Sequence, residues 1–182
     1  MSGPSVEVPP LSSDDIFKLT ASMRRDLQVE ADEFPIIEFL ELGMPSFFKG
    51  FVFEVRDSTF MGSNHGLTIP SENAIVLRED VYERACEGRG RDRFTAAHEL
   101  GHYIMHRNAP FKFHRAESGR LPAYKDSEWQ ANRFAGALLM PESKMIVCRS
   151  LAEVSERFGV TLDAAKVQNS VLAKQNKMRI LS

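Results

Sequence analysis

The stretch "RFTAAHELGHYIMH", residues 93–106, constrains this chain more than any other. Three histidines recur at four-residue intervals, and Glu99 directly follows the first of them. On an α-helix, side chains four apart share a face, so His98 and His102 can offer their imidazoles to one ion. Neutral imidazole is a good zinc ligand, with bonds of roughly 2.0–2.1 Å. Glu99 flanks that pair without sharing its direction, which is the position of a base acting on metal-activated water. Phe94, Ala97, Gly101 and Met105 supply the buried side of the helix, and the small Ala97 and Gly101 leave room for another element to come close. Yet His-Glu-x-x-His is short enough to arise by chance, and histidine pairs occur on helices that hold no metal. The motif therefore requires a third ligand, delivered by a second helix.

A catalytic zinc takes three protein ligands and keeps its fourth position for water. His106 continues the spacing, but each step of four overshoots a full turn by about 40°, which skews it away from His98. It reads as a packing or rim residue, and the spacing does not match the longer metzincin pattern either. Glu128 is the better candidate. It heads the helix "EWQANRFAGALLMP", in which Ala131, Asn132 and Ala135 follow along one face. Alanines there allow close packing, and Asn132, one turn on, is placed to bond a ligand histidine or Glu128 itself. Asp126 and Glu117 are weaker rivals for the third position.

The rest of the chain supplies the scaffold. Residues 1–11, rich in Pro, Ser and Gly, are expected to form a flexible tail. "SSDDIFKLTASMRRDLQVEA" begins with capping residues and repeats Ile16, Leu19, Met23 and Leu27 at helical spacing. "PIIEFLEL" predicts a short helix stopped by Gly43 and Pro45. "FVFEVRD", "HGLTI" and "NAIVLR" read as strands of a small, mainly antiparallel sheet, and "EDVYERACEG" as a short helix. Asp92 is the expected N-cap of a helix over residues 93–107, closed by Asn108 and Pro110. "APFKFHRAESGRLPAYK" reads as irregular and basic, with Lys112, His114, Arg115, Arg120 and Lys125 against Glu117. It is a candidate lid or substrate rim, or a plain solvated insertion. "LAEVSERFGVTLDAAKVQNSVLAKQ" predicts two helices joined at Gly159. This order implies an α+β fold, with a domain over residues 12–147 and a helical appendage over 148–182.

Several functions are disfavoured. A net charge of -2 over 182 residues argues against a protein whose main business is gripping nucleic-acid phosphates. The Gly-Val-Thr turn suggests a helix-turn-helix, but the second helix carries few basic residues, Lys166 and Lys174 among them, and Asp163 near its start. A structural helix pair is favoured over DNA contact. No apolar run approaches the roughly 20 residues of a membrane span, and "MSGPSVEVPP" is not expected to be a secretion signal. Cys86 and Cys148 stand far apart, which suits a reducing cytoplasm with both thiols free, a single disulfide being the alternative. Trp129, Leu138, Leu139 and Met140 are expected in the core, and His65 is assigned no role. Donors for a developing oxyanion are sought among Tyr103, His106, His114 and Tyr124.

Taken together, "RFTAAHELGH", "EWQANRFAGALLMP" and the helix pair containing "SERFGV" resemble the ImmA/IrrE family of metallo-endopeptidases over about residues 50–165. The histidine–glutamate motif is shared by many zinc peptidases. The glutamate four residues before an Asn, followed by Phe-Ala and Leu-Leu-Met-Pro, is the specific part. Where many members carry a second acidic residue, this chain has Gln130, a position expected at the surface or beside the ligands. The resemblance implies a zincin-like α+β fold, Zn2+ held by His98, His102 and Glu128, and Glu99 as base. It also implies a cytoplasmic bacterial or phage-related setting and a helix-turn-helix repressor as the protein that is cleaved. The alternative is a regulatory module that holds zinc and recognises a repressor or DNA without cutting.

Overall fold

The computed structural model describes residues 6–109, 121–175, 177, 178 and 181. The first helix, α1 (Ser13–Asp26), is capped reciprocally: the Asp15 amide donates to Ser12 Oγ at 3.2 Å, and the Ser12 amide donates to Asp15 Oδ2 at 3.0 Å. Its buried face is Ile16, Phe17, Thr20 and Arg24, while Leu19 of the expected stripe is 37% exposed. Arg24 explains the rotation. Its guanidinium donates to the carbonyls of Leu138 at 3.0 Å and of Ala31 and Asp32, so turning it inward satisfies oxygens that a helix end and a loop leave open.

The next helical segment does not stop at Gly43. It runs as α2 (Ile36–Glu38), a π-helical stretch Phe39–Gly43, and α3 (Met44–Phe47). The Met44 amide bonds Phe39 O across the wider π turn, and Pro45 falls in the first turn of α3, where a missing N–H costs nothing.

Strands β1 (Val52–Arg56), β2 (Gly66–Ile69) and β3 (Ala74–Arg78) form one sheet in the order β1-β3-β2, with α4 (Ser58–Met61) between the first two in sequence. β2 and β3 are antiparallel, with Leu67 opposite Val76, because the tight turn through Pro70–Glu72 and left-handed Asn73 reverses the chain. β1 runs parallel to β3, with Val52 beside Ala74, since β1 reaches β3 only after α4 and β2. The sheet is therefore mixed where a mainly antiparallel one was expected. The central strand β3 is buried from Ala74 to Leu77.

Helix α5 (Glu79–Cys86) leads into α6 (Gly90–His106), which starts ahead of the expected cap, Asp92. Arg84 takes the Asp92 carboxylate with two donors, at 2.9 and 3.0 Å, and so draws it into the first turn. After residue 121 come α7 (Ser127–Leu139), α8 (Glu142–Met145), α9 (Leu151–Phe158) and α10 (Leu162–Lys174). Leu151, Val154, Phe158, Val160, Ala165 and Leu172 lie in the same core cluster as Ile16, Leu100 and Phe134.

The described part of the expected tail is also held. The amides of Val8 and Leu11 donate to the carbonyls of Lys125 and Tyr124, both at 2.9 Å, and Ser127 N–H returns to Val6 O at 3.1 Å. Val8 is buried by this pairing, an apolar gain that composition alone does not register. Residues 1–5 lie outside the described residues, as do 110–120 of the basic segment with Lys112, His114, Arg115, Glu117 and Arg120. Among the described residues, no helix is long and apolar enough to cross a membrane.

Gly90 seats α6 against the turn before α10: a Cβ there would lie 2.6 Å from the carbonyl carbon of Val160, a backbone atom with little freedom to yield. Gly90→Ala is expected to lower stability by about 1–3 kcal/mol, read as an earlier urea midpoint at an unchanged slope.

Candidate metal centre

Helices α6 and α7 meet through small residues. Ala97, Ala131 and Ala135 are fully buried, and Gly101 faces Phe134, whose ring carbon would lie 3.0 Å from any Cβ added there. This close approach brings Glu128, at the start of α7, to the two histidines of α6. Glu128 Oε2 lies 3.3 Å from His98 Nε2, Oε1 lies 3.2 Å from His102 Nε2, and the two Nε2 atoms are 3.0 Å apart. Ligands roughly 2.0–2.1 Å from a tetrahedral ion sit about 3.3–3.4 Å from one another. The donor atoms thus already have nearly the separations that such an ion requires, and the three residues form a group able to hold one.

The hydrogen bonds around the group assign its tautomers. Gln130 Nε2 donates to Pro9 O at 2.9 Å and to Tyr124 O at 2.8 Å, which leaves its Oε1 as an acceptor. His106 Nε2, 2.8 Å from that oxygen, must carry a proton and donate it. His106 Nδ1 is then an acceptor, and takes the proton of His102 Nδ1 at 3.1 Å. Asn132 Oδ1 likewise accepts from His98 Nδ1 at 3.1 Å. Both histidines therefore turn an Nε2 lone pair towards Glu128. Two lone pairs and a carboxylate facing one point call for a cation between them.

The electrostatics show the same demand for positive charge at that point, which protons on the imidazoles meet when no ion supplies it. Burial acts to raise the Glu128 carboxyl, but hydrogen bonds and charge from His102 and His98 outweigh it and hold it at about 2. Burial acts to lower His98, and is outweighed by the hydrogen bond to Glu128, the charges of Glu99 and Glu128, and Asn132. His106 goes the other way. Burial pushes it down to about 4 despite its bond to Gln130, so it is a neutral imidazole at ordinary pH.

Glu99 is buried on the sheet side of α6. The Thr68 hydroxyl of β2 lies 2.9 Å from Glu99 Oε2 and 2.8 Å from the Glu99 carbonyl oxygen. Gly66 lets that strand come so close: a Cβ there would meet Glu99 Cγ at 2.6 Å.

Other expected residues fall elsewhere. Asp126 is not a ligand but the cap of α7, its Oδ1 accepting from the amides of Glu128 and Trp129 at 2.9 and 3.1 Å. Glu117 and His114 lie outside the described residues. Tyr103 is buried with its hydroxyl donating to Asn73 Oδ1 at 2.6 Å, so it faces the core rather than the site. Tyr124 is exposed, and contributes only its carbonyl to the Gln130 network. His106, expected as a packing or rim residue, is buried and bonds a candidate ligand, and Gln130, expected at the surface or beside the ligands, is fully buried. His65 and Trp129, given no role and a core role, both line a cavity that opens beside His98. Thr68 and Gly66 carried no sequence signal, because their effect depends on a strand from a distant part of the chain.

Three comparisons bear on this geometry. A family model for peptidases of the M78 type, described as the IrrE N-terminal-like domain, matches residues 51–169. No curated protein matches significantly. Among solved structures, a Mycobacterium tuberculosis transcriptional regulator superposes with a TM-score of 0.59 at 16% identity. The match covers 91% of this chain and 49% of that one, so this chain spans about half the regulator's length. At that identity the likeness is one of fold.

Gln130→Leu removes both arms of the network at nearly constant volume. Its expected effect is a fall in zinc affinity of about 10–100-fold with the helical content retained, measured by competition with a chromogenic chelator and by circular dichroism.

Proposed function

Because the chain belongs to the IrrE N-terminal-like family of M78 peptidases, we propose that it is a zinc-dependent endopeptidase. In this reading His98, His102 and Glu128 hold the ion and Glu99 is the base. The observation that carries it is the convergence of three donor atoms from two helices at the spacing of a tetrahedral site, each imidazole with its Nδ1 already engaged. Two histidines and a carboxylate are a donor set that suits zinc.

When bound, the ion supplies Lewis-acid polarisation of water and of the scissile carbonyl. The chain's own residues do the rest. Thr68 occupies Glu99 Oε2, which leaves Oε1 to take a proton from the attacking water and return it to the leaving amine. The burial of Glu99 keeps that carboxylate from bulk solvent, and the Thr68 bond stops it from rotating as it gains and loses the proton. Asn132 and His106 hold the two imidazoles in the tautomer that keeps Nε2 available throughout.

The proposed substrate is a helix-turn-helix repressor. Family resemblance supports this, and the solved structure of similar fold is described as a transcriptional regulator. The chain's own C-terminal helix pair is read as structural, since Leu151, Val154, Phe158, Ala165 and Leu172 pack into the core. The two free cysteines, one of them exposed, suit a reducing cytoplasm.

Glu99→Gln should retain fold and zinc while lowering cleavage of a repressor encoded beside the gene by about 10²-fold or more. Undiminished turnover would remove Glu99 as the base. Glu128→Ala should reduce the zinc-to-protein ratio found by elemental analysis, and an unchanged ratio would sink it as third ligand. New repressor fragments should vanish with chelator; a zinc-loaded chain that binds the repressor and never cuts it is a recognition module.

A further inference from the structure

A cavity of about 580 Å³ opens beside His98 and Glu99, between α6, α7 and the first turns of α10. Phe94, Trp129 and Val167 make its walls apolar. Gly136 deepens it, for a Cβ there would come 2.9 Å from Gln168 Oε1. Arg91 and Arg133 also line this largely apolar space, Arg133 half-buried and Arg91 exposed.

Arg133 is the unusual one. Its guanidinium lies over the Trp129 ring, 5.0 Å from the centroid, and its Nε is buried without a hydrogen-bond partner. Arg93 also has a buried Nε without a partner, but it bonds Phe34 O and pairs with Glu33; Arg24 caps carbonyls, Arg84 holds Asp92, and Arg157 holds Asp32. Among the described residues, neither Arg133 nor Arg91 has an ion-pair partner. Of the acidic groups on the cavity, Glu99 is bonded to Thr68, and Asp163 lies in the first turn of α10, paired with neither arginine. Burial, reinforced by nearby cations, disfavours the charged form of His65. A half-buried guanidinium without a counter-charge is destabilising in the free protein and favourable once an anion arrives.

We propose that this cavity is the subsite for the substrate side chain flanking the scissile bond, and that it selects an acidic side chain with an apolar stem, glutamate above all. The stem lies along Phe94 and Trp129, and the carboxylate is taken by Arg133 with Arg91. The assignment rests on the peptidase reading for its placement beside the scissile bond, but the recognition itself is a binding property.

Trp129 is the chain's only tryptophan, so its emission reports occupancy of the cavity directly. The zinc-loaded full chain is titrated with N-acetyl-Ala-Glu-Ala-amide and its glutamine isostere. The Glu peptide should bind about tenfold tighter, and in R133Q the two should fall within about twofold of each other with the Gln peptide unaffected. Equal affinities in the wild type, no saturable change with either peptide, or undiminished discrimination in R133Q would each overturn the proposal. The last result would mean that the carboxylate goes elsewhere, for instance to the metal. A free C-terminal carboxylate offers the same chemistry, so a preference for N-acetyl-Ala-Gln-Ala acid over both amides would reassign the cavity to chain ends. If R133Q does not fold, by circular dichroism, R91Q takes its place with the same expected loss. A chain that discriminates but cuts nothing would sink the peptidase reading and spare this subsite; one that cuts a repressor without discriminating would do the reverse.

Discussion

The approach of α6 to α7 is the constraint on which the rest of the molecule depends. A carboxylate can reach a histidine pair on a neighbouring helix only if the two backbones come nearer than ordinary side chains allow. Ala97, Gly101, Ala131 and Ala135 permit that, and Phe134 fills the space that Gly101 leaves. The sheet then closes one side of α6, with Gly66 and Thr68 against Glu99, while α1 locks the far end of α7 through Arg24. Small residues at the crossing thus do two jobs. They let the two helices pack closely in the core and set the distance between the three candidate donors.

Around that crossing the polar groups are accounted for in a way that leaves little choice. Gln130 is both donor and acceptor, and because its amide is committed to two carbonyls, the proton positions on His106 and His102 follow one from the next. A carboxylate at position 130 could not donate to those carbonyls, so this anchoring of the network requires the amide of glutamine. A neutral, buried His106 is well suited to this relay, since a charged imidazole would have no acceptor at Nδ1 to offer.

Much of the site was legible in the sequence because it is written in helical spacing. His98, Glu99 and His102 declare themselves on one helix, and Glu128 and Asn132 on another. The capping of α1 was equally readable, being local. What escaped was non-local. The face of α1 turned because Arg24 finds carbonyls far along the chain, and Asp92 left its cap position for Arg84. Thr68 reaches Glu99 only once the sheet has formed. The angular argument against direct ligation by His106 does not ask whether an imidazole one turn further along could act through its neighbour.

Pro9 offers its carbonyl to Gln130, and through Gln130 and His106 that oxygen is connected to His102. The strap formed by residues 6–11 is therefore the outermost link of the apparatus that steers an imidazole nearly a hundred positions away. In the proposed metal site linkage of this kind is reciprocal: whatever peels the strap from residues 124–127 would slacken the grip on the ion, and loading the ion would fasten the strap by the same free energy. A cut within residues 6–11 would then be felt as a loss of the proposed ion, with His98, His102 and Glu128 still in place.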